Sequence, residues 1–204
     1  MKTGSTVAGS GRAGEAAIIP SLQRCLLTGS LGFCLVSVGV FSTVAFAERW
    51  MYSHLGVLGA YVVWTLLFIV SGGAVFRSLV TGAGLRFYPL FGLAFFAYAA
   101  GWMAAYFILR GAAGEWAGSL IGSVLMGVII AAGFGVVRRA LPLVGVLFIA
   151  NSAGYFLGAA LNEAIRGKTG MLLWGAVYGL CLGAGLGAVL HFAQSFRAAA
   201  ASKG

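Results

Sequence analysis

The sequence predicts an all-α, polytopic membrane protein, with six transmembrane helices arranged as three hairpins and both termini on the cytoplasmic side. Three observations carry this reading. Only 8% of the 204 residues are charged and 61% are apolar, against roughly 25% charged in soluble domains. The apolar residues gather into six blocks, each near the ~20 residues that cross a ~30 Å hydrocarbon core. The cations, finally, are shared unevenly between the links.

The blocks cover residues 25–46, 55–76, 87–109, 117–137, 140–162 and 170–192. Lipid offers the backbone no hydrogen-bond partners, so each block must satisfy its own amides as a helix. The polar and apolar alternation of a barrel strand is missing. The bundle is expected over 21–195, between a disordered cytoplasmic tail at 1–20, rich in Gly, Ser, Thr and Ala, and a short tail at 196–204. Ala45-Phe46-Ala47 before Glu48 has the pattern of a signal-peptidase site. The apolar run ahead of it is about 20 residues, longer than the ~7–15 of a signal sequence, so the first span is expected to stay uncleaved.

Landmarks repeat along the three hairpins. Pro20, Pro89 and Pro142 precede or open the first, third and fifth spans, where a missing amide donor matters least. Trp50, Trp116 and Trp174 stand near the outer ends of the second, fourth and sixth, as suits rings at the headgroup layer. Ala100-Gly101-Trp102 and Ala153-Gly154-Tyr155 are offset by 53 residues, as are Gly122 and Gly175, which suggests an internal repeat.

Orientation follows from the cations. With the N-terminus inside, Lys2, Arg12, Arg24, Arg77, Arg86, Arg138, Arg139, Arg197 and Lys203 are cytoplasmic, and Arg49, Arg110, Arg166 and Lys168 lie outside. Nine against four satisfies the positive-inside rule. The same scatter argues against nucleic acid as a partner, in spite of a net charge of +9. The expected setting is a bacterial cytoplasmic membrane, with the lipid bilayer and either further copies or other membrane subunits as partners.

Glycine carries the most physical content, at 33 residues. Gly175, Gly179, Gly183 and Gly187 recur every four positions and form a side-chain-free groove on the sixth span. Gly118 and Gly122 on the fourth span, and Gly154 and Gly158 on the fifth, repeat the spacing. Such faces admit close helix contacts within one subunit; an oligomer interface or a backbone-lined passage is the alternative.

Ionisable groups are nearly absent from the spans, which disfavours proton-coupled transport through a buried carboxylate. Glu163, His54 and His191 are expected at the interfaces. The polar residues at depth are Thr65, Ser123, Asn151 and Ser152, the candidates for contact with a solute or for an interhelical hydrogen bond. Ser119 and His191 are similar to the serine and histidine of rhomboid proteases. They stand near opposite surfaces, however, and a catalytic pair must meet within about 3 Å. Cys25, Cys34 and Cys181 are read as small packing residues. No metal, catalytic or cofactor motif is present. The functional expectation is a passive channel or small transporter for a neutral or weakly charged solute. The alternative is a structural subunit, or one holding a pigment, quinone or lipid, within a larger complex.

Overall fold

The computed structural model describes residues 18–82 and 84–202, so most of the predicted tail, with Lys2, Arg12 and Lys203, lies outside the described residues. Five helices account for the regular structure: α1 Leu22–Arg77, α2 Phe87–Leu109, α3 Gly111–Gly133, α4 Ala140–Ile165 and α5 Gly167–Ala201. Each is long and apolar enough to cross a membrane. Single 3-10 turns, Gly84–Arg86 and Val137–Arg139, lead into α2 and α4.

The count of five against the six predicted spans has one cause. The first two spans fall in a single helical run of 56 residues. As a straight rod it would measure about 84 Å, far beyond one ~30 Å core. Gly56, at φ 67° and ψ 175°, breaks it. The arms at 22–55 and 57–77 double back on each other: Trp64 Nε1 donates to Thr43 Oγ1 at 2.9 Å, and the rings of Phe33 and Phe76 lie 5.5 Å apart. The stretch 47–55, expected as an outer loop, is helical up to that glycine.

The other two turns at this end, called the outer end below, are as tight. Arg110 (φ 54°, ψ 164°) alone separates α2 from α3, and Arg166 (φ 57°, ψ 171°) alone separates α4 from α5. All three turns share one backbone conformation, which a side chain disfavours. Only the first has a glycine there. At the opposite end α3 closes through a Schellman motif. Gly135 (φ 72°) follows the helix, its N–H reaching Ala132 O at 3.0 Å, and Val136 N–H reaches Ala131 O at 2.8 Å. The link from α1 to α2 is tied to α5 by buried Gln194, whose Oε1 accepts from Thr81 N–H and Oγ1–H at 3.0 Å and whose Nε2 donates to Leu79 O at 2.9 Å.

α5 is the most buried helix, held between α1 and α4, while α2 packs mainly on α3. The groove of Gly175, Gly179, Gly183 and Gly187 lies against the first arm of α1. A Cβ on Gly179 would sit 2.6 Å from Cys34 Cα, and one on Gly175 2.7 Å from Phe41 Cβ. Gly183 and Gly187 meet the backbone carbonyls of Gly29 and Cys25. At Gly179, Gly183 and Gly187 these are backbone-to-backbone approaches that any side chain blocks, while Gly175 makes room for the Phe41 ring.

The two later hairpins follow one register. Tyr98 and Trp102 of α2 rest on Gly122 and Gly118 of α3, each pair equidistant along the chain from Arg110. Trp174 and Tyr178 of α5 rest on Gly158 and Gly154 of α4, each pair equidistant from Arg166. The aromatic pair sits on the entering helix in one hairpin and on the returning helix in the other. Both therefore carry a tyrosine near mid-depth and a tryptophan nearer the outer turn.

Two consequences are measurable by thermal unfolding in detergent. Gly179→Leu is expected to remove the folded species, because its obstruction is backbone and exceeds the roughly 1–3 kcal/mol of ordinary overpacking. Gly39→Leu, with no atom within 4 Å of its Cβ position, is expected to match the wild type. Arg166→Gly is expected to raise the unfolding temperature by relieving strain of about 1–3 kcal/mol.

Candidate functional site: an aromatic cavity and the polar chain beneath it

The converging tyrosines and tryptophans line a half-open recess. A cavity of about 190 Å³ lies among both arms of α1, α2, α4 and α5, in the outer half of the bundle. Ten of its fifteen lining residues are aromatic: Trp64, Trp102 and Trp174, Tyr61, Tyr98, Tyr155 and Tyr178, and Phe41, Phe68 and Phe95. Val40, Val44, Thr65, Ala99 and Met103 complete the wall, and no lining residue is charged. Towards the inner end the cavity stops at a phenylalanine stack. Phe68 and Phe95 (5.4 Å) continue through Phe33 and Phe91 to Phe76, with neighbouring centroids 5.5–5.8 Å apart.

Most polar atoms of the wall point elsewhere. Trp64 Nε1–H goes to Thr43, and Thr65 Oγ1–H to Tyr61 O at 2.8 Å within its own helix. Tyr155 donates to Glu115 Oε1 at 3.3 Å. Trp174 Nε1 is buried without a partner among the described residues, its pyrrole edge set against Gly158. What faces an occupant is mostly ring surface, with the hydroxyl pair of Tyr98 and Tyr178 at the floor.

That pair begins a chain of hydrogen bonds. Tyr98 Oη–H donates to Asn151 Oδ1 at 2.7 Å, and the Tyr178 hydroxyl lies 2.7 Å from Tyr98 Oη. Because Tyr98 spends its proton on Asn151, Tyr178 is the donor between the two rings. Asn151 Nδ2–H donates to Ser119 Oγ at 2.8 Å, and the Ser119 and Ser152 hydroxyls are 2.7 Å apart. Five side chains thus join α5, α2, α4 and α3 through the buried centre, and a polar group so placed must be partnered. Tyr178 keeps its lone pairs free at the cavity end.

Of the four residues expected along a solute path, only Thr65 lines the cavity. Asn151, 1% exposed, and Ser152 belong to the hydrogen-bonded chain. Ser123 Oγ is buried with no partner among the described residues. Ser119, weighed above only as a nucleophile, is instead the acceptor for Asn151, while His191 bonds Pro20 O at 2.9 Å. Cys34 packs on Gly179 and Cys181 on Gly154. Those contacts use different faces of α5, and among the described residues no three His, Cys, Asp or Glu converge as metal ligands.

Sequence reasoning passed over Tyr98 and Tyr178, the two residues that connect chain and cavity. The usable signal was their spacing: each lies twelve residues from a turn arginine, opposite a glycine at the same distance on the partner helix.

No family model matches the chain, and neither a curated protein nor a solved structure matches it.

The chain of hydrogen bonds sets an order of sensitivity, readable by reversible unfolding in mixed micelles. Tyr98→Phe is expected to cost roughly 1 kcal/mol, the size of one or two interhelical bonds in a membrane. Asn151→Ala is expected to cost about 2–3 kcal/mol, since it strands Tyr98 and Ser119 and leaves a void. Thr65→Val, whose bond is to its own helix, is expected to be near neutral.

Proposed function

We propose that the protein is a small integral membrane transporter whose binding site is the aromatic cavity, and that its solute is small, largely apolar, and neutral or weakly charged. The observation that carries this reading is a cavity of about 190 Å³ with ten aromatic and no charged lining residues. Binding pockets are concave, mostly apolar, and furnished with a few polar groups. In size this one resembles the ~150 Å³ cavity that admits benzene, so it suits a one-ring or similarly compact molecule.

A passive channel through Asn151 loses its support. The carboxamide is spent within the hydrogen-bonded chain, and the phenylalanine stack lies directly beneath the cavity. A site closed on one side suits alternating access better than a continuous pore. The arms of α1 doubling back at Gly56 support six crossings, and the nine-to-four bias of cations supports an orientation with both termini inside.

Trp64, Trp102 and Trp174 provide the readout. In nanodiscs, a compact neutral aromatic such as benzyl alcohol is expected to change the tryptophan emission saturably. Ala99→Leu, which narrows the cavity from its wall, is expected to abolish saturation while the unfolding temperature holds. A response that rises linearly with concentration in both proteins would mean partition into lipid and would sink the proposal.

A further inference from the structure

Resting on the reading of the cavity as a binding site, and going beyond the neutral or weakly charged solute of that reading, we infer that the preferred guest is a compact organic cation of the quaternary-ammonium class, its single charge spread over alkyl groups. Aromatic rings carry negative potential on their faces, and walls of Trp and Tyr are the recurrent means of holding such cations. This wall holds three tryptophans and four tyrosines and no cationic side chain that would repel the guest.

A primary ammonium brings three N–H donors that each need an acceptor. The wall offers them no carboxylate, only scattered hydroxyl oxygens, of which Tyr98 already accepts from Tyr178 and Thr65 and Tyr155 aim their protons at Tyr61 O and Glu115. A quaternary ammonium has no N–H to satisfy, and its charge is spread over alkyl groups that tolerate an apolar wall. Tyr178 Oη retains free lone pairs at the floor and can accept from a hydroxyl on the guest.

Two carboxylates stand behind the rings without entering the cavity. Glu115 accepts from Tyr155 at 3.3 Å, and a phenol bonded to a carboxylate gains electron density in its ring. Glu48 lies one helical turn before Tyr52, whose ring packs edge-on to Trp64 at 6.0 Å.

Choline and its neutral carbon isostere, 3,3-dimethyl-1-butanol, separate charge from shape. Titrated against tryptophan emission of the full-length protein in nanodiscs, choline is expected to bind at least about tenfold more tightly than the alcohol. Equal affinity, or tighter binding of the alcohol, would overturn the cation assignment and leave the cavity as a site for neutral solutes. Saturable binding of neither would overturn the assignment and the transporter reading together. Replacing the tryptophans biosynthetically by 5-fluorotryptophan keeps their shape and weakens their negative faces. It is expected to lower choline affinity and leave that of the alcohol unchanged; an equal loss for both would overturn the charge argument.

Discussion

Lipid gives two apolar helices no hydrophobic reason to touch, so this bundle depends on how closely its backbones can approach. The decisive approach is that of α5 to the first arm of α1, where Gly183 and Gly187 receive the carbonyls of Gly29 and Cys25. Dispersion is gained only at contact distance, and glycine is the residue that allows contact between main chains. With α5 seated there and α4 pressed on its other side through Gly154 and Gly158, the centre of the bundle is fixed. Everything else is arranged around it.

The same glycine spacing has a second effect in the later hairpins, where the partner across the groove is an aromatic ring. A ring laid over a glycine pair is held by backbone on one side and free on the other. Tyr98 and Trp102 project from the α2–α3 hairpin, and Trp174 and Tyr178 from α4–α5, all at matched distances from the turns at Arg110 and Arg166. Their hydroxyls meet at 2.7 Å. The polar chain through Asn151 follows from that meeting, since two phenols buried at mid-depth need acceptors and the neighbouring helices supply them. Packing and polarity are thus one device: glycines place the tyrosines, and the tyrosines recruit the polar centre.

Much of this was legible in the sequence. Apolar blocks located the helices, the four-residue period located the contact face of α5, and Asn151 stood out because a carboxamide at depth needs a partner. The turns were less legible. Arg110 and Arg166 occupy a conformation that local preference reserves for glycine, so tertiary packing overrides propensity there, and loops of several residues were expected where one residue suffices. The cavity was not legible at all. Its wall draws on helices far apart in the chain, and ten aromatic residues among the twenty-seven of the chain carry no mark that distinguishes lining from core. Only the register of each hairpin about its turn arginine brings Tyr98 and Tyr178 together.

A void is itself an energetic statement. In a well-packed interior, empty volume costs stability, so a recess of about 190 Å³ forgoes contacts that larger side chains would make. Closing it would need little, since Ala99 and Thr65 line it as small residues between rings and larger ones would fill the space. The rings themselves cannot collapse inward. Trp64 is tied to Thr43, Tyr98 to Asn151 and Tyr155 to Glu115, and Trp174 is wedged on Gly158. A wall pinned from behind and left open in front is preorganised: the entropy of ordering it is spent on folding, so a guest of the right shape gains contact without having to arrange its host. That is why the cavity, rather than the hydrogen-bonded chain beneath it, is where function is to be sought.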